Sequence, residues 1–243
     1  MKINLVMAIS VLLASCITVP VMAGPFSVTP VRIYMAPKEK AVAVTINNEG
    51  DDELVMQAEL YTWKQKPDGT DELEPTEDLL LSPPIIKMTG KSRQVVRLAR
   101  LQPVEFAQQQ TYRMIIREIP EAKPNNGNLQ LQIAIAFSMP VFITPPGSKY
   151  HLDCSARKKA TDTVSVTCEN SGNAYAQLID FTITGPDGVT LSENASGGYI
   201  LPSVKRSFDI KTEKGQPVPN GKASLSVRLD DGSKQNFDVI LTE

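Results

Sequence analysis

The chain has 243 residues, 42% of them hydrophobic and 21% charged, with a formal net charge of -2. That length suits two compact domains of about 100 to 120 residues better than one, and the composition excludes global disorder. A nearly balanced charge supplies no bulk basic field for nucleic acid, and one histidine with three cysteines is too few for a His-rich metal site, so no cofactor is expected.

The N-terminus reads as a leader. Lys2 provides a positive start, and residues 3–14 form an apolar run of signal-peptide length. Val21 and Ala23 meet the small-residue requirement before Gly24, predicting a signal peptide over residues 1–23, cleaved after Ala23. Leu13-Ala14-Ser15-Cys16 also resembles a bacterial lipobox, in which Cys16 would be lipidated and become the mature N-terminus. The apolar residues 17–21 continue the leader instead of opening a polar tether, which favours ordinary cleavage. No later segment has the roughly 20 continuous apolar residues of a membrane-spanning helix.

Beyond the leader come short runs rich in Val, Ile, Leu, Thr and Tyr, separated by Gly, Pro, Asn and Asp, a pattern that predicts an all-β protein. Expected strands cover residues 26–33, 41–47, 54–63, 85–88, 94–98, 112–118 and 129–143. Pro67-Asp68-Gly69 and Asn125-Asn126-Gly127 supply turns. Residues 104–110 are too short for a stable helix and read as a loop or a single turn. Pro145-Pro146-Gly147 punctuates the end of the long strand and sets a domain boundary, giving domains over residues 24–146 and 147–243.

A second group of strands begins near Tyr150 and is expected over residues 163–167, 176–184, 199–201, 206–210, 223–229 and 235–241. Gly185-Pro186-Asp187-Gly188 and Asp230-Asp231-Gly232 connect them. Two such groups fit two β-sandwiches in series. Cys154 and Cys168 lie symmetrically about Thr161, so a hairpin turning there places them opposite one another. Their disulfide would close a loop of about 15 residues, worth roughly 3 kcal/mol in chain entropy. Catalytic equipment is missing: His151 has no companions spaced as a triad, and the glycines belong to turns, not phosphate loops.

The most informative segment is residues 129–139. Leu129, Leu131, Ile133, Ile135, Phe137 and Met139 alternate with Gln130, Gln132, Ala134, Ala136 and Ser138, which predicts one apolar ridge about 34 Å long with no internal charge to guard its edge. Such a strand is either covered internally or pairs with another chain.

Three segments in order carry a family resemblance: Phe26-Ser27-Val28-Thr29-Pro30-Val31-Arg32; Tyr112 to Pro120 with its Arg117-Glu118-Ile119-Pro120 ending; and the alternating strand 129–139 before Pro145. The chain resembles periplasmic pilus-assembly chaperones of the chaperone-usher family, and its irregular middle resembles the archaic or alternative, Csu-like branch. The resemblance implies two immunoglobulin-like β-sandwiches in an L shape, no enzymatic activity, pilin subunits and an outer-membrane usher as partners, and a periplasmic location. It implies that Leu129, Leu131, Ile133 and Ile135, with Phe137 as an extension, are donated to a groove in the pilin that lacks a strand. It also implies that Arg32 holds the subunit's C-terminal carboxylate. The lysine that usually partners this arginine falls near Ser138, and Arg97, Arg113 and Arg117 are the candidate replacements. The competing class is a secreted or surface structural pilus component made of β-sandwich domains.

Overall fold

The computed structural model describes residues 26–101, 106–120 and 133–242. The leader with Ala23 and Cys16, the Asn125-Asn126-Gly127 turn, and Leu129 and Leu131 lie outside them.

Phe26–Thr29 (β1) buries Phe26 and Val28 and pairs antiparallel with Ala41–Asn48 (β3). The sequence predicts a single strand over residues 26–33, but the structure divides it. Pro30 has no N–H for a ladder bond, and Ile33–Met35 (β2) resumes in another sheet, parallel to the end of Ala136–Ile143 (β10). Two sheets form from this half of the chain. One runs β1-β3-β8-β6, with Leu79–Ser82 as β6 and Arg93–Arg100 as β8. The other runs β2-β10-β9-β4-β5, from Leu54–Gln65 (β4), Asp71–Pro75 (β5) and Gln110–Glu118 (β9), while Ile85–Met88 (β7) pairs with the start of β4. Between them lies one buried cluster that includes Val44, Ile46, Met56, Val96, Leu98, Met114, Ile116 and Val141.

Residues 152–241 build a second pair of sheets. Leu152–Ala160 (β11), Thr163–Asn170 (β12) and Val204–Lys211 (β15) form one, in the order β11-β12-β15. Ala176–Thr184 (β13), Thr190–Ile200 (β14), Gly221–Leu229 (β16) and Lys234–Leu241 (β17) form the other, in the order β14-β13-β16-β17. Val164, Val166, Phe181, Ile183, Leu225 and Val227 fill the space between. Cys154 stands opposite Cys168 in the β11–β12 register, and their sulfurs are bonded. The architecture is therefore all-β and sandwiched twice, as the turn-punctuated sequence predicts. Among the described residues no helix is long and apolar enough to cross a membrane.

Several expectations change in detail. β5 and β6 have no counterpart among the sequence-predicted strands; β5 is solvent-facing along nearly its whole length, so it carries no apolar alternation to read. β14 is far longer than the expected residues 199–201. Residues 106–109 contain no helical turn, and β9 already begins at Gln110.

A third apolar cluster joins the two sandwiches: Trp63, Phe142 and Leu201 are buried together, with Tyr175, Tyr199 and Val204 packed against them. It exists because the outer face of one sheet is also apolar at one end. In β4, Leu54, Met56 and Ala58 point into the first core while Trp63, of opposite parity, points out. In β10, Met139, Val141 and Ile143 point in while Phe142 points out. The β4–β5 hairpin reinforces the junction: Pro67 O accepts a bond from Ser207 N at 3.2 Å. Gly69, at φ +87, lies so close to Arg206 that a Cβ there would sit 2.3 Å from its Nε.

Candidate functional site

The candidate site has two parts, a sheet edge and a cleft between the sandwiches. Along one side β10 pairs with β9 over its full length, Ala136 opposite Arg117 through Ile143 opposite Gln110. On its other side β2 covers only Val141 to Ile143. Among the described residues, 136–140 therefore have no strand against that backbone edge, the arrangement that templates pairing with another chain.

The side chains on this segment are graded and do not form a uniform ridge. Ile133 is 70% exposed. Ile135 and Phe137 lean against the first core, Phe137 with its ring 5.1 Å from that of Phe26, and Met139 is buried in that core. The expected strand over residues 129–143 is corrected accordingly: within the described residues it begins at Ala136, and residues 133–135 precede it. Ile135 is still tied to the end of β9, its carbonyl accepting from Glu118 N at 2.9 Å. The physical reason for the grading is that the odd positions face inward in β10, so the protein's own core claims those nearest the strand's end.

The cleft is built on the outer face that carries Trp63 and Phe142. Tyr34 lies opposite Phe142 in the β2–β10 register and projects from the same face, with Arg32 two residues earlier. From the second sandwich, Tyr175 stacks on Phe142 at 4.1 Å between ring centroids, and Tyr199 meets Trp63 edge-on at 5.3 Å. Asp230 is held at the end of β16 by the predicted turn, where Gly232 adopts φ +82 and Asp231 Oδ1 accepts from Ser233 N at 2.8 Å.

Arg32 is the centre of this cleft. Its Nη1 donates to Asp230 Oδ2 at 2.6 Å, to Tyr34 Oη at 3.1 Å and to Tyr175 Oη at 3.2 Å, and its Nη2 donates to Gln177 Oε1. Burial opposes the charge on Arg32, but the hydrogen bonds to Tyr34 and Asp230 outweigh it and hold the guanidinium more firmly protonated than usual. Burial also raises Tyr175, assisted by the hydrogen bond with Tyr34, whose hydroxyl lies 2.6 Å away.

Of the three other arginines expected to serve the site, the structure brings one to the cleft. Arg113 stacks over the Trp63 ring at 3.7 Å, and its guanidinium lies 5.8 Å from the Tyr199 ring centre, as Arg32 does at 5.7 Å on the same ring. Burial makes Arg113 easier to deprotonate than usual, against the pull of Asp71, which accepts from Nη2 at 3.3 Å. Its Nε is buried with no hydrogen-bond partner among the described residues. Arg97 is exposed on the sheet that does not carry the cleft face, and Arg117 forms a surface pair with Glu59 at 3.3 Å.

Sequence reasoning misses Phe142, Tyr175, Gln177, Tyr199 and Asp230. A signal exists only for Phe142: residues 139–143 are continuously apolar, and a run without alternation means a strand covered on both faces. The turn of Asn170, Gly172 and Asn173 bridges the sandwiches, because Asn173 O accepts from Gln109 N at 2.9 Å and its Nδ2 donates to Ala107 O at 3.0 Å. Tyr34 is 52% exposed at the cleft.

Residues 25–149, just over half of the chain, match the pili and flagellar-assembly chaperones through their PapD N-terminal domain. The chain belongs to that family. It is a family of chaperones, not of enzymes. Among solved structures, the chain shares the fold of a chain of the CsuC-CsuE chaperone-tip adhesion subunit pre-assembly complex from archaic chaperone-usher Csu pili of Acinetobacter baumannii. That match has a TM-score of 0.65 at 18% identity over 90% of this chain and 99% of that one. The E. coli chaperone DraB matches with a TM-score of 0.56 at 20% identity, over 89% of this chain and 96% of that one. A chain of the Salmonella enterica SafA pilin complex with the SafB chaperone matches with a TM-score of 0.57 at 14% identity, over 89% and 96%. Among curated proteins nothing matches the chain.

Proposed function

We propose that the protein is a periplasmic chaperone that binds, folds and stabilises pilin subunits by donor-strand complementation and delivers them to an outer-membrane usher. The observation that carries this reading is the backbone edge of residues 136–140, unpaired among the described residues and preceded by exposed Ile133. A pilin lacking one strand of its own sandwich has unpaired backbone groups and an apolar groove. A strand that adds to its edge satisfies the first and fills the second with alternate side chains. Leu129, Leu131, Ile133 and Ile135 are the proposed donors, with Phe137 as an extension. Each aliphatic side chain contributes about 1.5 to 3 kcal/mol before the cost of association.

Arg32 is the proposed anchor for the subunit's terminal carboxylate. Arg113 takes the place of the usual lysine, because it reaches the same tyrosine ring as Arg32; Arg97 and Arg117 are not part of this anchor. Pilin partners are supported by the Acinetobacter and Salmonella structures, described as a chaperone with a tip adhesion subunit and a pilin with a chaperone. The departure near Ser138 fits the archaic or alternative branch. The same reading keeps a leader over residues 1–23 cleaved after Ala23, in preference to lipidation at Cys16, and domains over residues 24–146 and 147–243. A structural pilus component would lack a strand in its own sandwich, whereas both sandwiches here enclose a continuous buried cluster.

The test is co-purification of a co-expressed pilin from periplasm. Replacing Ile133 by Asp places a charge in the groove and should abolish stoichiometric capture while the chaperone stays folded, because Ile133 is exposed in the free chain. Undiminished capture by the folded variant would sink the donor assignment.

A further inference from the structure

Arg32 is already bound to a carboxylate. Asp230 is 198 residues away in sequence, yet its Oδ2 sits 2.6 Å from Arg32 Nη1. The two hydrogens of Nη1 are shared among Asp230, Tyr34 and Tyr175, and Gln177 takes Nη2. A ligand carboxylate that grips a guanidinium does so best through two parallel bonds. At Arg32 it has to displace an acceptor that is present before it arrives. The acceptor of the same chemistry is Asp230, and the pair is reachable: the side chains of Arg32 and Asp230 are 28% and 25% exposed. Asp230 is also preorganised by the neighbouring strand β13, since its N–H donates to Gln177 O at 3.1 Å.

We propose that Asp230 is a built-in competitor for the terminal carboxylate at Arg32, so that docking exchanges one carboxylate for another. This rests on the reading of Arg32 as the anchor. The consequence is selectivity. An unrelated peptide's terminal carboxylate gains little at Arg32, because it replaces an equivalent group. A subunit that also pairs with the edge at residues 136–140 brings a second source of binding free energy and completes the exchange. Asp230 thus raises the threshold for capture without touching the groove-filling side chains.

The experiment uses the full chain and a C-terminal peptide of the co-expressed pilin, as the free acid and as the amide, with binding read by fluorescence anisotropy. The parent should prefer the free acid only slightly, because Asp230 already occupies Arg32. Asp230→Asn should tighten the free acid about fivefold, the equivalent of the roughly 1 kcal/mol ceiling for a partly exposed ion pair, and leave the amide unchanged. Asp230→Ser should repeat the gain if the first variant folds poorly. Asn173→Ala loosens the junction between the sandwiches without touching Arg32 and should give no acid-selective gain. If the parent prefers the acid but neither Asp230 variant tightens it, or if Asn173→Ala tightens it equally, competition by Asp230 is wrong and the anchor stands. If neither the parent nor either Asp230 variant distinguishes acid from amide, the anchor itself fails, and the exchange with it.

Discussion

Among the described residues, the last strand of the first sandwich, β10, is covered on one side over only three residues, whereas the second sandwich secures its last strand. Just beyond β17, Thr242 O accepts from Lys158 N at 3.1 Å, linking the chain end to β11. The same sandwich holds the disulfide between Cys154 and Cys168, and the buried side chain of Asn170, which receives bonds from His151 N and Gly172 N at 3.1 Å and donates to Ala174 O at 2.8 Å. The first sandwich has no cysteine at all. An edge that recruits another chain is an aggregation hazard unless it is held in a defined place. Under the proposed function the braced second sandwich supplies that place, because Tyr175, Gln177, Tyr199 and Asp230 all project from it toward Arg32 and Phe142.

The largest test of this division of labour is Phe142→Ala, which removes the ring on which the junction packs. It should destabilise the protein by about 3–5 kcal/mol. In denaturant, the fluorescence of Trp63, the single tryptophan, should change before the β content is lost, because Trp63 sits in the same cluster. Coincident transitions at the parent's midpoint would show that the junction contributes nothing to coupling.

Next in size is the Cys154→Ala, Cys168→Ala double variant. It should lower the stability of the second sandwich by about 3 kcal/mol, the chain-entropy value for a loop of this length. Pilin capture should be retained wherever the protein remains folded, since the bond is remote from the β10 edge. Capture lost without unfolding would mean that the disulfide shapes the site and does not merely brace the second sandwich.

The smallest effect is confined to alkaline solution and to the first sandwich. Burial, and then the neighbouring Asp78, push Tyr112 from its ordinary value of 10.0 up to about 12. The folded state holds this proton more tightly than the unfolded state. Its contribution is complete below pH about 10 and is lost as pH rises through about 12. Tyr175 and Tyr199, both raised by burial at the cleft, add to the parent's alkaline loss. Tyr112→Phe should therefore reduce, not abolish, the fall in urea midpoint between about pH 9 and about pH 11. An unchanged fall would place the alkaline sensitivity wholly outside the first core.

Much of the fold is legible because strands and turns are written in local chemistry. β13 coincides with its expected residues, and the Pro67-Asp68-Gly69 and Asp230-Asp231-Gly232 turns carry their own hydrogen-bonding side chains. The disulfide is legible from symmetry about a hairpin. The break at Pro30 is visible as a proline, but the change of sheet after it is not, since both halves alternate correctly. β5 is invisible because Asp71, Glu72 and Glu74 leave no apolar face to detect. At the candidate site, Ile133 and Arg32 can be singled out from sequence. Asp230 reads only as a turn residue, since nothing near it in the chain hints at an arginine 198 positions away.

The sequence by itself determines an all-β chain, its turns, its one cysteine pair and an apolar strand unguarded by charge, because each depends on residues a few positions apart. Which edge of that strand stays open, how much of its ridge the protein keeps for its own core, and which carboxylate occupies Arg32 are decided by the tertiary structure. Those outcomes depend on strand order and on contacts between sandwiches, and side-chain alternation reports which face a residue takes but not which neighbour lies beside its backbone.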